Sequence, residues 1–319
     1  MKRIIICLAS LFFSLHLAAG TTAGVTIVPF QLIGNSIFVE ATVNEVAGNF
    51  LLDTGSPDLL LNSAYFKGIY LPQQSYSIQD INGHSSAILH FRVKSLTMGD
   101  YEFDEQHAFV LSLQSIETLK HIEVVGIIGY SVLKEVEVMF DFDNRQILLF
   151  PLDRRGWRTC TVNAYEELDS FDLKMSGHIT YITARLGNKK MRLGIDSGAE
   201  VNMLNRKTAR KKAVSVKVTG NLLVMGISAN DKACGKAIVE DLTIGEWAVP
   251  MEMAITDLYP LNQNLDVDLH GILGAPFLMQ GNVAINFKRR KMYLHHSIDG
   301  GFAAKKAADD ANSLVSALK

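Results

Sequence analysis

Cysteine, proline and tryptophan are scarce in this chain of 319 residues, with three, seven and two copies. Cys7 lies in an apolar N-terminal stretch, so only Cys160 and Cys234 remain to form a disulfide bond. A scaffold held together by several bridges is therefore excluded. Two cysteines give no spacing pattern, and the sequence leaves open whether these two are bridged.

An excess of charge of one sign is also missing. The chain has 31 Lys and Arg residues against 33 Asp and Glu residues, a formal net charge of −2. Such a balance gives no long-range attraction for a polyanion. The basic run at residues 288–291 lies in an alternating, strand-like context and is interpreted as a solvated hairpin end. We therefore expect no nucleic-acid partner.

Long apolar runs are absent outside the N-terminus. Lys2 and Arg3 precede the apolar residues 4–19, and small residues follow, which is the layout of a secretory signal peptide. The stretch is short for a membrane span and contains His16. We predict a signal peptide at residues 1–24 and an exported protein, periplasmic or secreted from a bacterium, with no membrane span in the mature chain.

Signatures of metal sites and of serine hydrolases are lacking as well. The chain contains no CxxC, HExxH, EF-hand or GxSxG motif. Asp266, Asp268 and His270 alternate before a glycine and are interpreted as solvated turn residues. We expect neither a metal nor a cofactor.

The chain does contain a long internal repeat. Asp53 and Asp196 lie 143 residues apart, each in the pattern apolar, Asp, Thr or Ser, Gly. One Asp-Thr/Ser-Gly tripeptide is weak evidence, but several matched blocks in the same order indicate a duplicated domain. The other matched blocks are GIIG and GILG at residues 126–129 and 271–274, and SLTMGDYEF and DLTIGEWAV at residues 95–103 and 241–249.

Strand signals dominate each copy. Runs such as IFVEATV and ITYITARL are rich in β-branched and aromatic residues, and helical periodicity is scarce. The sequence therefore predicts a mainly β protein with two lobes. Its predicted parts after the signal peptide are an N-terminal lobe at residues 25–150, a polar connection at 151–176, a C-terminal lobe at 177–298 and a polar tail at 299–319.

The two aspartates suggest acid–base chemistry. In each copy an apolar pair ends a buried strand and the glycine allows a tight turn, which leaves the carboxylate at a loop tip. If the lobes pack around a pseudo-twofold axis, Asp53 and Asp196 face each other and share one proton. The base of such a pair activates a water for attack on a peptide carbonyl, while the acid hydrogen-bonds the oxyanion.

These paired motifs resemble the catalytic signatures of the aspartic proteases, with DTGS at residues 53–56 and DSGA at residues 196–199. The resemblance implies two homologous retropepsin-like β-barrel lobes, related by a pseudo-twofold axis and fused as in the pepsin-like enzymes. It implies that the GIIG and GILG blocks pack behind the catalytic loops and that Thr54 and Ser197 interlock across the lobes. By resemblance, the catalytic residues are Asp53 and Asp196, and the supporting residues are Thr54, Gly55, Ser56, Ser197, Gly198 and Ala199.

The resemblance also implies a hairpin, the flap, that covers the substrate. Pepsin-like enzymes have a Tyr-Gly pair there, whereas this chain has Asn-Gly-His, with Met-Gly at the corresponding place of the second lobe. A glycine in the turn fits a mobile hairpin. The predicted substrate contacts of the flaps are Asn82, Gly83, His84, Met225 and Gly226.

A difference between the two loops predicts an asymmetry. Ser56 can donate a hydrogen bond to the Asp53 carboxylate, whereas Ala199 offers Asp196 no such donor. The hypothesis is that Asp53 is the base and Asp196 the protonated partner of a coupled pair.

The sequence as a whole indicates an aspartic endopeptidase, monomeric, that acts on a peptide or protein substrate. A catalytically weak or inactive secreted peptide-binding protein of the same fold remains the alternative, because a fold does not establish catalysis. A duplicated β domain whose Asp-Thr/Ser-Gly turns are merely structural is a further alternative.

Overall fold

The computed structural model describes residues 24–67, 76–79, 85–160, 167–210, 216–225 and 231–295. These residues form a mainly β structure with two homologous lobes, as expected. The predicted signal peptide up to residue 23, the whole predicted tail, and Asn82, Gly83, His84 and Gly226 of the predicted flaps lie outside the described residues.

The strands of the first lobe are built from apolar and β-branched residues that fill its core. In β2, for example, Ile37, Val39, Ala41 and Val43 alternate and are all buried. The elements of this lobe are β1 (Thr26–Ile33), β2 (Ser36–Val43), β3 (Val46–Leu52), β4 (Leu59–Asn62), β5 (Tyr76–Gln79), β6 (Ser85–Val93), β7 (Leu96–Met98), β8 (Tyr101–Phe103), β9 (Gln106–Leu111), α1 (Gln114–Lys120), β10 (Gly126–Ile128), α2 (Tyr130–Leu133), β11 (Val136–Asp141) and β12 (Gln146–Pro151).

The second lobe repeats this order. Two of its strands lie inside the predicted polar connection, and the first of them is tied to the lobe by Trp247, whose indole N–H donates to Asp169 at 2.8 Å. The elements are β13 (Glu167–Asp172), β14 (Lys174–Ser176), β15 (Ile179–Leu186), β16 (Lys189–Ile195), β17 (Met203–Asn205), α3 (Arg206–Ala209), β18 (Lys217–Met225), β19 (Asp231–Val239), β20 (Leu242–Ile244), β21 (Trp247–Ala248), β22 (Met251–Thr256), α4 (Tyr259–Asn262), β23 (Gly271–Leu273), α5 (Ala275–Leu278), β24 (Asn282–Asn286) and β25 (Lys291–His295).

The two lobes share one strand arrangement around the repeated motifs. In the first, β10 pairs in parallel with β3 and antiparallel with β4, which pairs in parallel with β9. In the second, β23 pairs in the same way with β16 and β17, and β17 pairs in parallel with β22. The barrel closure included in the prediction is not seen, because in the described part of the chain the strand order of each lobe is open.

A six-stranded antiparallel sheet joins the lobes in the order β13-β25-β24-β11-β12-β1. At its centre, Met139 of β11 pairs with Ala284 of β24, and Val138 pairs with Ile285. Met139 and Ala284 are 145 residues apart, the same offset as the repeated glycine blocks, so they are equivalent positions. The pseudo-twofold axis therefore passes between these two residues.

The joining sheet buries a carboxylate at the lobe boundary. Glu137 of β11 is 2% exposed and accepts a hydrogen bond from Asn286 of β24 at 2.7 Å. Arg158, from the segment after β12, donates to the same carboxylate at 2.6 Å and stacks on the ring of Phe150. The second lobe and the connection thus supply partners for one buried charge of the first lobe, as such a charge requires.

Cys160 and Cys234 are both free. Cys234 is buried in a cluster of the second lobe, and Cys160 packs at the edge of a different cluster. The two thiols are therefore unbridged. None of the helices described combines the length and the apolar composition needed to cross a membrane.

Candidate active site

The two aspartates of the repeat stand at equivalent strand ends. Asp53 directly follows β3, and Asp196 directly follows β16. The backbone N–H of Asp53 donates to the carbonyl of Ile128 at 3.0 Å, and that of Asp196 donates to the carbonyl of Leu273 at 3.0 Å. The parallel pairing of β3 with β10, and of β16 with β23, thus extends one residue beyond the end of β3 and of β16. This extra hydrogen bond fixes the point at which each loop begins.

Main-chain donors of the loops orient the two carboxylates. The N–H groups of Gly55 and Ser56 donate to Oδ1 of Asp53 at 2.9 and 3.0 Å. The N–H of Gly198 donates to Oδ1 of Asp196 at 2.9 Å. Because these donors belong to the rigid turn itself, each carboxyl group has a fixed direction before any substrate arrives.

The two carboxyl groups meet across the lobe boundary. A Cβ atom placed on Gly55 would lie 2.4 Å from Cγ of Asp196, and one on Gly198 would lie 2.3 Å from Cγ of Asp53. Each carboxyl group therefore covers the glycine of the opposite loop, and the side chains of Asp53 and Asp196 are hydrogen-bonded to each other. Only glycine leaves room for this approach.

Burial raises the pKa of Asp196 well above its ordinary range, and it is the largest cause. The negative charge of Asp53 and the hydrogen bond with Asp53 raise this pKa further. The carboxyl group of Asp196 therefore holds a proton more firmly than an ordinary carboxyl group does. Which member of the coupled pair carries the shared proton stays a prediction.

The predicted cause of this asymmetry is wrong. The Ser56 hydroxyl donates to the carbonyl oxygen of Asp58 at 3.2 Å and not to the Asp53 carboxylate. A serine in place of Ala199 would therefore not donate to Asp196 either, if it behaved as Ser56 does.

Thr54 and Ser197 interlock across the lobes, as the resemblance implies. Oγ of Ser197 accepts from the Thr54 N–H at 3.0 Å and donates to the carbonyl of Leu52 at 2.8 Å. Oγ1 of Thr54 accepts from the Ser197 N–H at 2.9 Å. Both side chains are 0% exposed, so no water can replace these bonds.

Replacing Ser197 with alanine should destabilise the protein by about 2–3 kcal/mol, because the Thr54 N–H and the Leu52 carbonyl lose a fully buried partner. Urea unfolding measures the change. The control is Ser112→Ala, which truncates an exposed serine and should change stability by less than about 0.5 kcal/mol. Equal urea midpoints for the two variants would show that the interlock of Thr54 and Ser197 contributes nothing to the free energy of unfolding.

The repeated glycine blocks pack behind the two loops. A Cβ atom on Gly129 would lie 2.4 Å from the carbonyl oxygen of Asp58, and one on Gly274 would lie 2.4 Å from that of Ala199. The next N–H in each block, from Tyr130 and Ala275, donates to a loop carbonyl at 2.8 and 2.9 Å. These blocks therefore support the loops from behind, as the resemblance implies.

Sequence reasoning missed an anchor of the second loop, Glu200. The side chain of Lys120, only 9% exposed, forms an ion pair with Glu200, and the side-chain amide of Asn35 donates to the Glu200 carbonyl at 2.8 Å. Glu200 follows the DSGA motif directly, which was the one available signal. Its partners come from the other lobe and belong to no motif.

The hairpins of the predicted flaps are partly described. β5 pairs with β6, and β18 pairs with β19, both antiparallel, at equivalent places of the two lobes. Met225 is the last residue of β18 and pairs with Asp231. The substrate contacts proposed for the hairpin turns stay predictions.

Comparison with known proteins agrees with this geometry. A family model described as aspartyl protease matches residues 39–132 and 182–277, one segment in each lobe. Each segment contains one aspartate of the pair, and together they make up more than half of the chain. No curated protein matches the chain. The chain belongs to the aspartyl protease family, with two retropepsin-like lobes.

Proposed function

We propose that this protein is an aspartic endopeptidase that hydrolyses peptide bonds with a water activated by Asp53 and Asp196. The observation that carries the proposal is the pair of carboxyl groups that meet across the lobe boundary, each against the glycine of the opposite loop. Two carboxyl groups that share one proton provide a base and an acid at the same place.

We place the shared proton on Asp196, whose pKa is raised, and this placement assigns the roles. Asp53 is the partner that accepts the proton of the water as its oxygen attacks the peptide carbonyl. Asp196 donates its hydrogen bond to the oxygen on which negative charge develops. This chemistry needs no covalent intermediate, because the water adds directly to the carbonyl carbon.

The rest of the site supplies rigidity. The interlock of Thr54 and Ser197 and the glycine blocks behind the loops hold the carboxyl groups at a fixed separation. Positioning of this kind lowers the barrier because little reorganisation accompanies the reaction.

The substrate that fits this site is an extended peptide. β5 and β18 are end strands in the order of their sheets, and each belongs to a hairpin at the position of a flap. An extended chain can add to such an edge through main-chain hydrogen bonds, with alternate side chains directed to pockets.

The dependence on pH follows from the raised pKa of Asp196. Activity requires the proton on Asp196, so it should be highest on the acid side and should fall as the pH rises through that raised pKa. Peptide mapping of digested casein over a pH series, with and without a transition-state mimic that carries a hydroxyl group, measures this. We expect cleavage at acid pH that the mimic inhibits.

Absence of cleavage at every pH would contradict the proposal. Binding of the casein peptides without hydrolysis would then favour an inactive, secreted peptide-binding protein of this fold. We also propose that the protein is exported to the periplasm or beyond and acts as a monomer. The N-terminal layout supports the first, and a carboxyl pair supplied by a single chain supports the second; cell fractionation and light scattering test them.

A further inference from the structure

Two short turns occupy equivalent places in the two lobes. Residues 34–35 join β1 to β2, and residues 177–178 join β14 to β15, with Ile33 paired to Ser36 in one hairpin and Ser176 to Ile179 in the other. The glycine of each turn has a left-handed φ, +62° at Gly34 and +58° at Gly177. Asn35 and His178, which follow these glycines, are therefore structural equivalents.

Asn35 reaches from the first lobe to the catalytic loop of the second. Its side-chain amide donates to the carbonyl of Glu200 at 2.8 Å, and its backbone N–H donates to the Glu200 carboxylate at 3.4 Å. Glu200 lies four residues after Asp196. This turn therefore fixes the loop that carries Asp196.

His178 reaches across the lobe boundary in the opposite direction and contacts a different position of the first loop. Its ring donates a hydrogen bond to the backbone carbonyl of Gly55 in the loop that carries Asp53. The N–H of Gly55 holds Oδ1 of Asp53, and its Cα faces the carboxyl group of Asp196. His178 is thus hydrogen-bonded to Gly55, a residue that contacts both Asp53 and Asp196.

We propose that His178 is a positioning residue for the peptidase reaction, which holds the Asp53 loop from the opposite lobe and makes that loop sensitive to pH. This inference rests on the proposed function. Asn35 holds the equivalent position on the other side but cannot titrate, so the two halves of the site differ in this respect.

The surroundings of His178 set the direction of the effect. The acidic groups near its ring are Asp58 and Asp53, and Asp58 in turn faces Lys134, directly after α2, and His90 of β6. Burial lowers the pKa of His178 below its ordinary value of 6.5. The ring is therefore neutral at pH 7 and gains its charge only in the acid range, where the positive charge stabilises the Asp53 carboxylate.

Two substitutions separate the hydrogen bond from the titration. His178→Asn keeps an N–H donor, as Asn35 does in the other lobe, and removes the titration, whereas His178→Ala removes both. We expect His178→Ala to lower kcat about 10-fold with KM nearly unchanged. We expect the wild type to show a step in log kcat below pH 6.5. His178→Asn should lack that step and should stay within about 3-fold of the wild-type kcat above pH 7.

The control is His121→Asn, which removes an exposed histidine of the first lobe and should leave the profile of kcat against pH unchanged. The proposal is overturned if His178→Ala keeps the activity of the wild type, or if His178→Asn loses as much kcat as His178→Ala.

A measurement without turnover keeps this test separate from the proposed function. The amide resonances of Gly55 and Ser56, which report on the donors to Asp53, should shift in His178→Ala and stay in place in His178→Asn. If they do so while the wild type cleaves no peptide, the positioning role holds and the peptidase proposal fails. If the wild type cleaves peptides and the resonances stay in place in both variants, the positioning role fails alone.

Discussion

Replacing Asp53 or Asp196 with asparagine should lower kcat by at least about 1000-fold, because an amide can neither take a proton from the water nor give one to the oxyanion. Asparagine has the shape of aspartate, and its side-chain oxygen can still accept from the N–H groups of Gly55 and Gly198. The loss therefore reports on proton transfer and not on the geometry of the loop. Initial rates on a casein-derived peptide at acid pH measure it.

Stability distinguishes lost chemistry from lost folding in these variants. The pKa of Asp196 is raised in the folded protein, so its ionisation is disfavoured there and costs stability as the pH rises through that pKa. Asp196→Asn cannot ionise. It should therefore melt at a higher temperature than the wild type at pH 7, and the difference should shrink toward pH 3.

The matched control for the aspartate variants is Asp100→Asn, in the exposed turn between β7 and β8. This change also removes one negative charge and should leave kcat and the melting temperature nearly unchanged. More than a tenth of the wild-type rate in either dyad variant would remove the basis of the proposed mechanism.

Replacing Gly198 with alanine should lower kcat about 100-fold, because the new methyl group would lie 2.3 Å from Cγ of Asp53 and must displace that carboxyl group. The same overlap should cost about 1–3 kcal/mol of stability, as overpacking does elsewhere. Peptide hydrolysis and urea unfolding of the purified variant measure the two effects.

Gly220→Ala is the stability control for this change. A Cβ atom at Gly220 has no atom within 4 Å, and the residue lies in β18, where alanine adopts the backbone conformation without strain. Its free energy of unfolding should stay within about 0.5 kcal/mol of the wild type. If Gly198→Ala matches the control in stability and the wild type in rate, the carboxyl groups do not lie where the structure places them.

The sequence predicts the centre of this site better than its surroundings. The meeting of Asp53 and Asp196 follows from a repeat, since duplicated lobes that pack around an axis bring equivalent residues together. The contacts of Asn35 and His178 do not follow, because each joins a short turn to a distant loop and neither end has a pattern of its own. The direction of the Ser56 side chain depends on a rotamer that only the packed loop decides.

Among the strands, too, some follow from a local sequence pattern and others depend on distant contacts. Apolar alternation predicts strands such as β2, whereas β13 is written ELDSFD and its polar composition suggests a connection. It is a strand because β25 supplies its hydrogen bonds and Trp247 binds Asp169. A local pattern cannot contain that information, since the partner strand lies more than a hundred residues further along the chain.

The pairing of Met139 with Ala284 limits how this protein can move. The hydrogen-bonded pairing of β11 with β24 continues through the pseudo-twofold axis. Separating the two lobes there would break several hydrogen bonds at once and would leave two strand edges unpaired. The sheet that joins the two lobes is therefore stiff and does not act as a hinge. Under the proposed function, a peptide would enter and leave through motion of the flap hairpins, while the separation between the carboxyl groups of Asp53 and Asp196 stays constant.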